Sequence, residues 1–137
     1  MGYLKNELSE KSPYHLSKHR YLELKHFCLQ YPEWKERLRE ISDISAIDPG
    51  KLGSGQISNE TERIAIERRI LLDKIELIEK VAMATDKTLW FYILQGVTEE
   101  RTYTYLKNMV GIPCGKNMYY ERYRAFYWRL SQYLQPL

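Results

Sequence analysis

Apolar residues recur every three or four positions along nearly the whole chain, and this spacing predicts an all-α fold. No stretch alternates apolar and polar residues over the length of a strand, and no Asn-Gly or Asp-Gly pair marks a hairpin. We therefore expect a helical bundle. Its clearest core stripe lies near the end of the chain and comprises Tyr119, Tyr123, Phe126, Leu130 and Leu134.

The sequence predicts a pair of helices over residues 1–42 and a flexible linker over residues 43–58. The first helix is expected to start after Ser12-Pro13, and Pro32 is expected to open the second, because proline is tolerated in the first turn of a helix. Glycine and proline favour turns and flexibility in the linker. The turn-forming residues of the linker are Asp48, Pro49, Gly50, Gly53, Ser54 and Gly55.

Residues 59–85 predict one long helix, with Ser58 or Asn59 as its N-terminal cap and Glu62 in a capping-box position. Two apolar stripes run along this helix, so we expect it to be buried on more than one side. Either both stripes pack within one chain or one of them contacts a second copy. The expected assembly is a homodimer, although the stripes alone leave both arrangements open.

Residues 86–137 predict a helix-turn-helix. Three amphipathic segments follow one another, and a tight turn around Pro113 separates the second from the third. This order is the layout in which the last helix enters a major groove of DNA. The predicted caps and stops, in chain order, are Asp86, Gly96, Thr98, Gly111 and Asn117.

The last helix carries residue types that can read base edges on the face opposite its core stripe. Arginine and asparagine contact guanine and adenine, and glutamate accepts a hydrogen bond from cytosine. Neighbouring basic residues can neutralise phosphates. A solvated helix packed on a core has a similar composition, so a generic helical bundle is the alternative. The predicted DNA-binding residues are Lys107, Lys116, Asn117, Tyr120, Glu121, Arg122, Arg124 and Arg129.

The charge distribution favours contact with nucleic acid in the last third of the chain. From Asp86 onward there are seven Lys/Arg against four Asp/Glu, and Glu121 is the last acid in the sequence. The net charge of +3 is nevertheless modest for a nucleic-acid-binding protein. Charge alone therefore does not decide the function.

No pattern in the sequence predicts an enzyme, a cofactor or a metal site. His15, His19 and His26 lie near one helical face, but no carboxylate completes an HExxH motif, and surface histidines are the better interpretation. Cys28 and Cys114 lack CxxC spacing and are expected as reduced thiols. No apolar run approaches the length of a membrane span, and no signal peptide is apparent. We expect a cytoplasmic protein with no membrane partner.

Two segments resemble a known family. GVTEERTYTYLKNMVGIPCGKNMYYERYRAFYWRLSQYL is similar to the C-terminal part of small Firmicute phage and prophage regulators of the RinA and ArpU type, whose ends resemble sigma-factor region 4. LSKHRYLELKHFCLQYPEWKERL is similar to their N-terminal part. The turn formed by residues 112–116 departs from the family, since it is longer and stiffer than the usual serine-threonine turn.

The resemblance implies a sequence-specific transcriptional regulator in the bacterial cytoplasm, with double-stranded DNA as its partner and RNA polymerase or another host protein as a further partner. The alternative is a phage protein that binds a protein partner on a helix-turn-helix scaffold. An inhibitor of a host defence nuclease, of the anti-CRISPR type, and a small terminase subunit are examples of that class.

Overall fold

The computed structural model describes residues 12–45 and 54–135, and all regular secondary structure in these residues is helical. The prediction of an all-α fold is therefore confirmed. We number the helices in chain order. They are α1 (Lys18–Leu29), α2 (Tyr31–Ser45), α3 (Ser54–Thr85), α4 (Trp90–Glu99), α5 (Tyr103–Tyr105, continued by a π-helical turn over Leu106–Val110) and α6 (Lys116–Tyr133).

The described residues fall into two compact units. The first comprises residues 12–30 and 78–135, and the second comprises residues 31–45 and 54–77. Helix α3 contributes residues to both units. Helices α1 and α2, which the sequence predicts as one N-terminal pair, belong to different units. The segments predicted from the sequence therefore do not coincide with the two compact units.

The first unit is built on α1, α4 and α6, which pack against one another. The predicted core stripe of α6 is confirmed for its first four members, which are all buried, whereas Leu134 follows the end of the helix and is only half-buried. The hydroxyl groups of Tyr21 and Tyr123 share a buried hydrogen bond of 3.1 Å between α1 and α6. The buried residues contributed by α1 and α4 include Tyr21, Leu24, Cys28, Ile93, Leu94 and Val97.

The second unit joins α2 to the first part of α3. Arg37 of α2 donates two hydrogen bonds to the carboxylate of Glu67 of α3, at 2.8 and 2.9 Å. These hydrogen bonds lower the pKa of Glu67. The ammonium group of Lys74 lies 5.4 Å from the centre of the Trp34 ring, in a cation–π contact. The buried apolar residues of this unit are Tyr31, Trp34, Ile41, Leu71 and Ile75.

The predicted start of each of the first and third helices is wrong. Helix α1 begins at Lys18, because the Ser17 hydroxyl accepts a hydrogen bond of 3.2 Å from the Arg20 amide and acts as its cap. Helix α3 begins at Ser54, so the predicted caps lie inside it. Both ends of the predicted linker, residues 43–45 and 54–58, are therefore helical. Its residues 46–53 lie outside the described residues.

Candidate nucleic-acid interface

Asp86 fixes the start of α4 relative to α6. Its carboxylate accepts hydrogen bonds of 2.8 Å from the amides of Thr88 and Leu89, in the turn that precedes α4. The prediction of Asp86 as the cap of α4 is wrong, because the helix begins at Trp90 with Leu89 in the cap position. Arg122 of α6 donates from Nε to the same carboxylate at 3.0 Å. Burial alone would raise the pKa of Asp86, but these hydrogen bonds and the charge of Arg122 outweigh it and hold the pKa below its usual value.

The predicted stop at Gly96 and the predicted cap at Thr98 are wrong, because both residues lie inside α4. The Thr98 hydroxyl donates to the Leu94 carbonyl at 2.6 Å, one turn earlier in the same helix. Helix α4 ends instead at Glu99, and the Glu100 that follows it has a left-handed φ of 55°. Thr102 then caps α5 by accepting a hydrogen bond of 3.2 Å from the Tyr105 amide.

The turn before α6 is held at both ends. Gly111 has a φ of 86°, so the predicted glycine stop at this position is confirmed. The amides of Gly111 and Ile112 both donate to the Leu106 carbonyl, at 2.7 and 3.0 Å, and the Ile112 side chain is buried. The Tyr103 hydroxyl donates to the Cys114 carbonyl at 2.6 Å. These contacts fix where the last helix begins.

Helix α6 begins at Lys116 with Gly115 as its cap, so the prediction of Asn117 as the cap is wrong. Within the described residues, no side chain accepts a hydrogen bond from the first turn of this helix as a cap. The amides at a helix start have no partner within the helix, and they carry the positive end of the helix dipole. The start of α6 is therefore suited to an anion.

Four of the eight predicted DNA-binding residues are exposed. Lys107 lies in the π-helical turn, and Lys116, Asn117 and Glu121 lie in the first two turns of α6. These side chains lie on either side of the fixed turn that leads into α6. The structure therefore brings two cations, one amide and one carboxylate to the same end of the helix-turn-helix.

The other four predicted residues are half-buried, and three of them have contacts within the first unit. Arg122 pairs with Asp86 and also with Glu121, at 2.6 Å. Arg124 lines a small cavity with Tyr14 and Tyr21 of the N-terminal segment. Tyr120 lines a second, larger cavity. Arg129 has a buried Nε that finds no hydrogen-bond partner within residues 12–45 and 54–135.

A cavity of about 290 Å³ lies in the first unit among α1, the end of α4, the start of α5 and α6. The sequence predicted Tyr119 and Tyr123 as members of the core stripe and Tyr120 as a DNA-binding residue, and nothing in the sequence marked the cavity. Lys25 lies far from Glu100 and Arg101 in the chain, which explains why the spacing of residues could not predict the cavity. The residues that form its aromatic wall and its charged rim are Tyr119, Tyr120, Tyr123, Tyr127, Lys25, Glu100 and Arg101.

The predicted surface histidines, His15, His19 and His26, are exposed. Among residues 12–45 and 54–135, no group of three His, Cys, Asp or Glu side chains is arranged to hold a metal ion. Burial raises the pKa of the Cys28 thiol, and burial also raises that of Cys114. Within the same described ranges, no helix has both the length and the apolar character needed to cross a membrane.

The described residues define an all-α protein in which α4, α5, a tight turn and α6 follow one another in the order of a helix-turn-helix. No family model, curated protein or solved structure matches the chain. The likeness to phage regulators therefore depends on the sequence segments quoted above and stays a prediction.

Proposed function

We propose that the chain is a phage-type transcriptional regulator that binds duplex DNA through the start of α6. The observation that carries this proposal is the start of α6, which lacks a side-chain cap within the described residues and lies beside exposed Lys107, Lys116 and Asn117. Backbone amides at a helix start and nearby lysines are groups that bind phosphate. The regulator would act in the bacterial cytoplasm, with RNA polymerase as a further partner.

The eight predicted residues divide into contact and positioning groups under this proposal. Lys107 and Lys116 neutralise phosphates, whereas Asn117 and Glu121 are the exposed side chains that can reach base edges. Arg122 holds α6 against Asp86 and acts as a positioning residue. Three half-buried residues take part less directly and form the flank of the interface. They are Tyr120, Arg124 and Arg129.

Phosphate contacts are tested by the salt dependence of duplex binding. Lys107→Ala and Lys116→Ala should each weaken binding to every sequence alike and reduce the slope of log K against log salt by about one. Lys87→Ala is the matched control, since it removes an exposed lysine from the turn before α4. An unchanged affinity and slope for both interface variants would show that this surface does not contact DNA.

Base reading is tested by selecting bound sequences from a random duplex pool. The wild-type chain should enrich one motif, and Asn117→Ala should relax one position of it, at a cost of about 1–3 kcal/mol for the preferred base pair. Gln132→Ala serves as the control, because Gln132 is an exposed amide near the other end of α6. Failure of the wild-type chain to enrich any sequence would contradict specific recognition.

We also propose that the regulator is a homodimer that uses the exposed apolar face of α3. Ile66 and Ile70 are 55% and 49% exposed and lie one turn apart on this helix. Two copies would present two helix-turn-helix elements, and a dimer of this kind binds a palindromic site.

A second candidate function, recognition of a protein partner, is favoured by the apolar residues beside the same turn. Met109 is 71% exposed and Met118 is 43% exposed. Exposed methionines are common at protein-binding surfaces because their side chains adapt to the partner. Mass photometry separates one member of this class, since a small terminase subunit forms rings. A defence-nuclease inhibitor would instead bind its nuclease tightly and DNA only without sequence preference.

A further inference from the structure

The tyrosine-lined cavity of the first unit has rigid aromatic walls. Tyr123 is fixed by its hydrogen bond to Tyr21, and the Tyr127 ring lies edge-on to both of these rings, with centroids 5.1 Å apart in each case. Tyr119 reaches the backbone of Gly96 so closely that no β-carbon fits there. Because these side chains are held before any ligand arrives, little entropy is lost on binding.

The outer wall of the cavity offers an aromatic surface to a flat ligand. Tyr120 is half-buried, and its ring lies edge-on to Tyr119 and Tyr123, with centroids 5.1 and 6.0 Å away. All nucleobases can stack on a tyrosine ring, because every base has a π-face. The volume of about 290 Å³ lies near the lower limit of small-ligand cavities. It therefore suits a single planar ring system rather than a large cofactor.

The charges at the rim favour an anionic group on that ligand. Lys25 and Arg101 provide two cations and Glu100 one anion. Lys25 lies 3.6 Å from the Glu100 carboxylate, which offsets that negative charge. The Arg101 guanidinium lies 4.4 Å from the centre of the Tyr105 ring, a contact that uses none of its N–H donors in a hydrogen bond. A phosphate is a group that such a guanidinium binds.

We propose that this cavity binds one nucleotide, with the base against the Tyr120 wall and the phosphate at Lys25 and Arg101. The nucleotide has two sources with the same chemistry, a free mononucleotide or an unpaired nucleotide within a DNA strand. Neither rim cation belongs to the proposed duplex interface. Failure of duplex binding and failure of nucleotide binding are therefore separate results.

Calorimetric titration of the full chain with adenosine monophosphate tests the site directly. We expect saturable binding of one equivalent, and weaker binding of adenosine, which lacks the phosphate. Arg101→Gln and Lys25→Gln should each weaken nucleotide binding by about tenfold, because each removes a charge-assisted contact to phosphate. Arg39→Gln and Lys18→Gln are matched controls for charge, since both alter exposed cations elsewhere, and they should leave binding within twofold.

The aromatic wall is tested by Tyr120→Leu, which keeps an apolar side chain but removes the ring. It should weaken binding at least fivefold while the far-ultraviolet circular dichroism stays that of a folded helical protein. The two sources are separated by a duplex with one unpaired nucleotide and by its fully paired counterpart. Tighter binding of the bulged duplex, lost in Arg101→Gln, assigns the site to a DNA strand, whereas equal binding of both duplexes assigns it to the free nucleotide.

Two results would overturn the assignment. One is that Arg101→Gln changes neither the binding of adenosine monophosphate at millimolar concentration nor the binding of the bulged duplex. The other is that the control substitutions weaken binding as much as the rim substitutions do, since binding would then reflect only the overall charge of the protein. Folding is checked for each variant by its thermal unfolding midpoint, so a loss caused by unfolding is recognised.

Discussion

At the scale of single residues, Gly96 shows how one tertiary contact overrides local preference. Glycine is a poor helix former, yet Gly96 lies inside α4 because a β-carbon there would overlap the Tyr119 phenol oxygen. We predict that Gly96→Ala lowers the free energy of unfolding by about 1–3 kcal/mol, the usual cost of overpacking a core. Urea denaturation measures this change.

The same contact predicts a rescue. In a Tyr119→Phe background the phenol oxygen is absent, and the nearest remaining ring atom, Cζ, lies 3.4 Å from the added β-carbon. That separation is an ordinary contact, and alanine is favoured over glycine in a helix by about 1 kcal/mol. Gly96→Ala should therefore be neutral or stabilising in this background. An equal penalty in both backgrounds would show that the overlap with Tyr119 is not the cause.

Glu100 makes the opposite prediction for a glycine. Its left-handed φ of 55° is unfavourable for a residue with a β-carbon, so Glu100→Gly should raise the free energy of unfolding by up to about 1 kcal/mol. Loss of the ion pair with Lys25 subtracts little, because the pair is long, at 3.6 Å, and the Glu100 side chain is exposed. The neighbouring Glu99→Gly lies within α4 and should lower stability by about 1 kcal/mol. Chemical denaturation of both variants compares them, and the same sign for both would contradict the left-handed assignment.

At the scale of helices, the junction of α4 with α6 depends on the charge of Asp86. Its pKa is lowered on folding, so its contribution to stability is present at neutral pH and is lost as the pH falls below about 4 through the folded pKa. We predict that Asp86→Asn costs about 1–2 kcal/mol at pH 7, because asparagine still accepts hydrogen bonds but lacks the negative charge that pairs with Arg122. Urea unfolding at several pH values measures it.

The pH dependence identifies the cause of that loss. The stability difference between wild type and Asp86→Asn should shrink as the pH falls from about 4 through the lowered folded pKa, because the wild-type carboxylate becomes protonated over that range. Asp43→Asn is the control, since Asp43 is exposed in α2. A difference that stays constant over this pH range would mean that packing, rather than the hydrogen bonds and the charge, makes the residue important.

Helix existence could be predicted from the sequence, whereas helix ends mostly could not. The spacing of apolar residues is a local signal, and it predicted the long helix to Thr85 and the core stripe of α6. Caps depend on which of several polar side chains meets a free amide, and packing decides that. Threonine is a residue type that caps helices, but the Thr98 hydroxyl donates to the Leu94 carbonyl within α4, and Thr102 caps α5 instead.

At the scale of the whole molecule, the contacts between segments that lie far apart in the chain could not be predicted from the sequence. The Tyr21–Tyr123 hydrogen bond joins residues 102 positions apart, and the cavity rim joins Lys25 to Arg101. No periodicity carries that information. The exposed residues at the start of α6 were predictable, because they follow a turn marked by glycine and proline. The inward pairing of Arg122 with Asp86 was not.

The proposed homodimer gives the last prediction at this scale. Burying Ile66 and Ile70 of α3 against a second copy removes exposed apolar surface from water, which stabilises the association. The native mass in solution should then be twice the chain mass of 16.5 kDa. Ile66→Glu combined with Ile70→Glu should give a monomer, because charged residues would meet across the interface.

Thr61→Glu is the control for the added charge, since Thr61 is an exposed residue on another face of α3. It should remain dimeric, and light scattering coupled to size exclusion measures the mass of each variant. Circular dichroism must show that the double variant is still helical, since both positions are exposed in one copy. A monomeric wild type, or a dimer that persists in the double variant, would show that this face of α3 is not a dimer interface. A monomer would also remove the reason to expect a palindromic site, and the selected DNA motif would then be a single half-site.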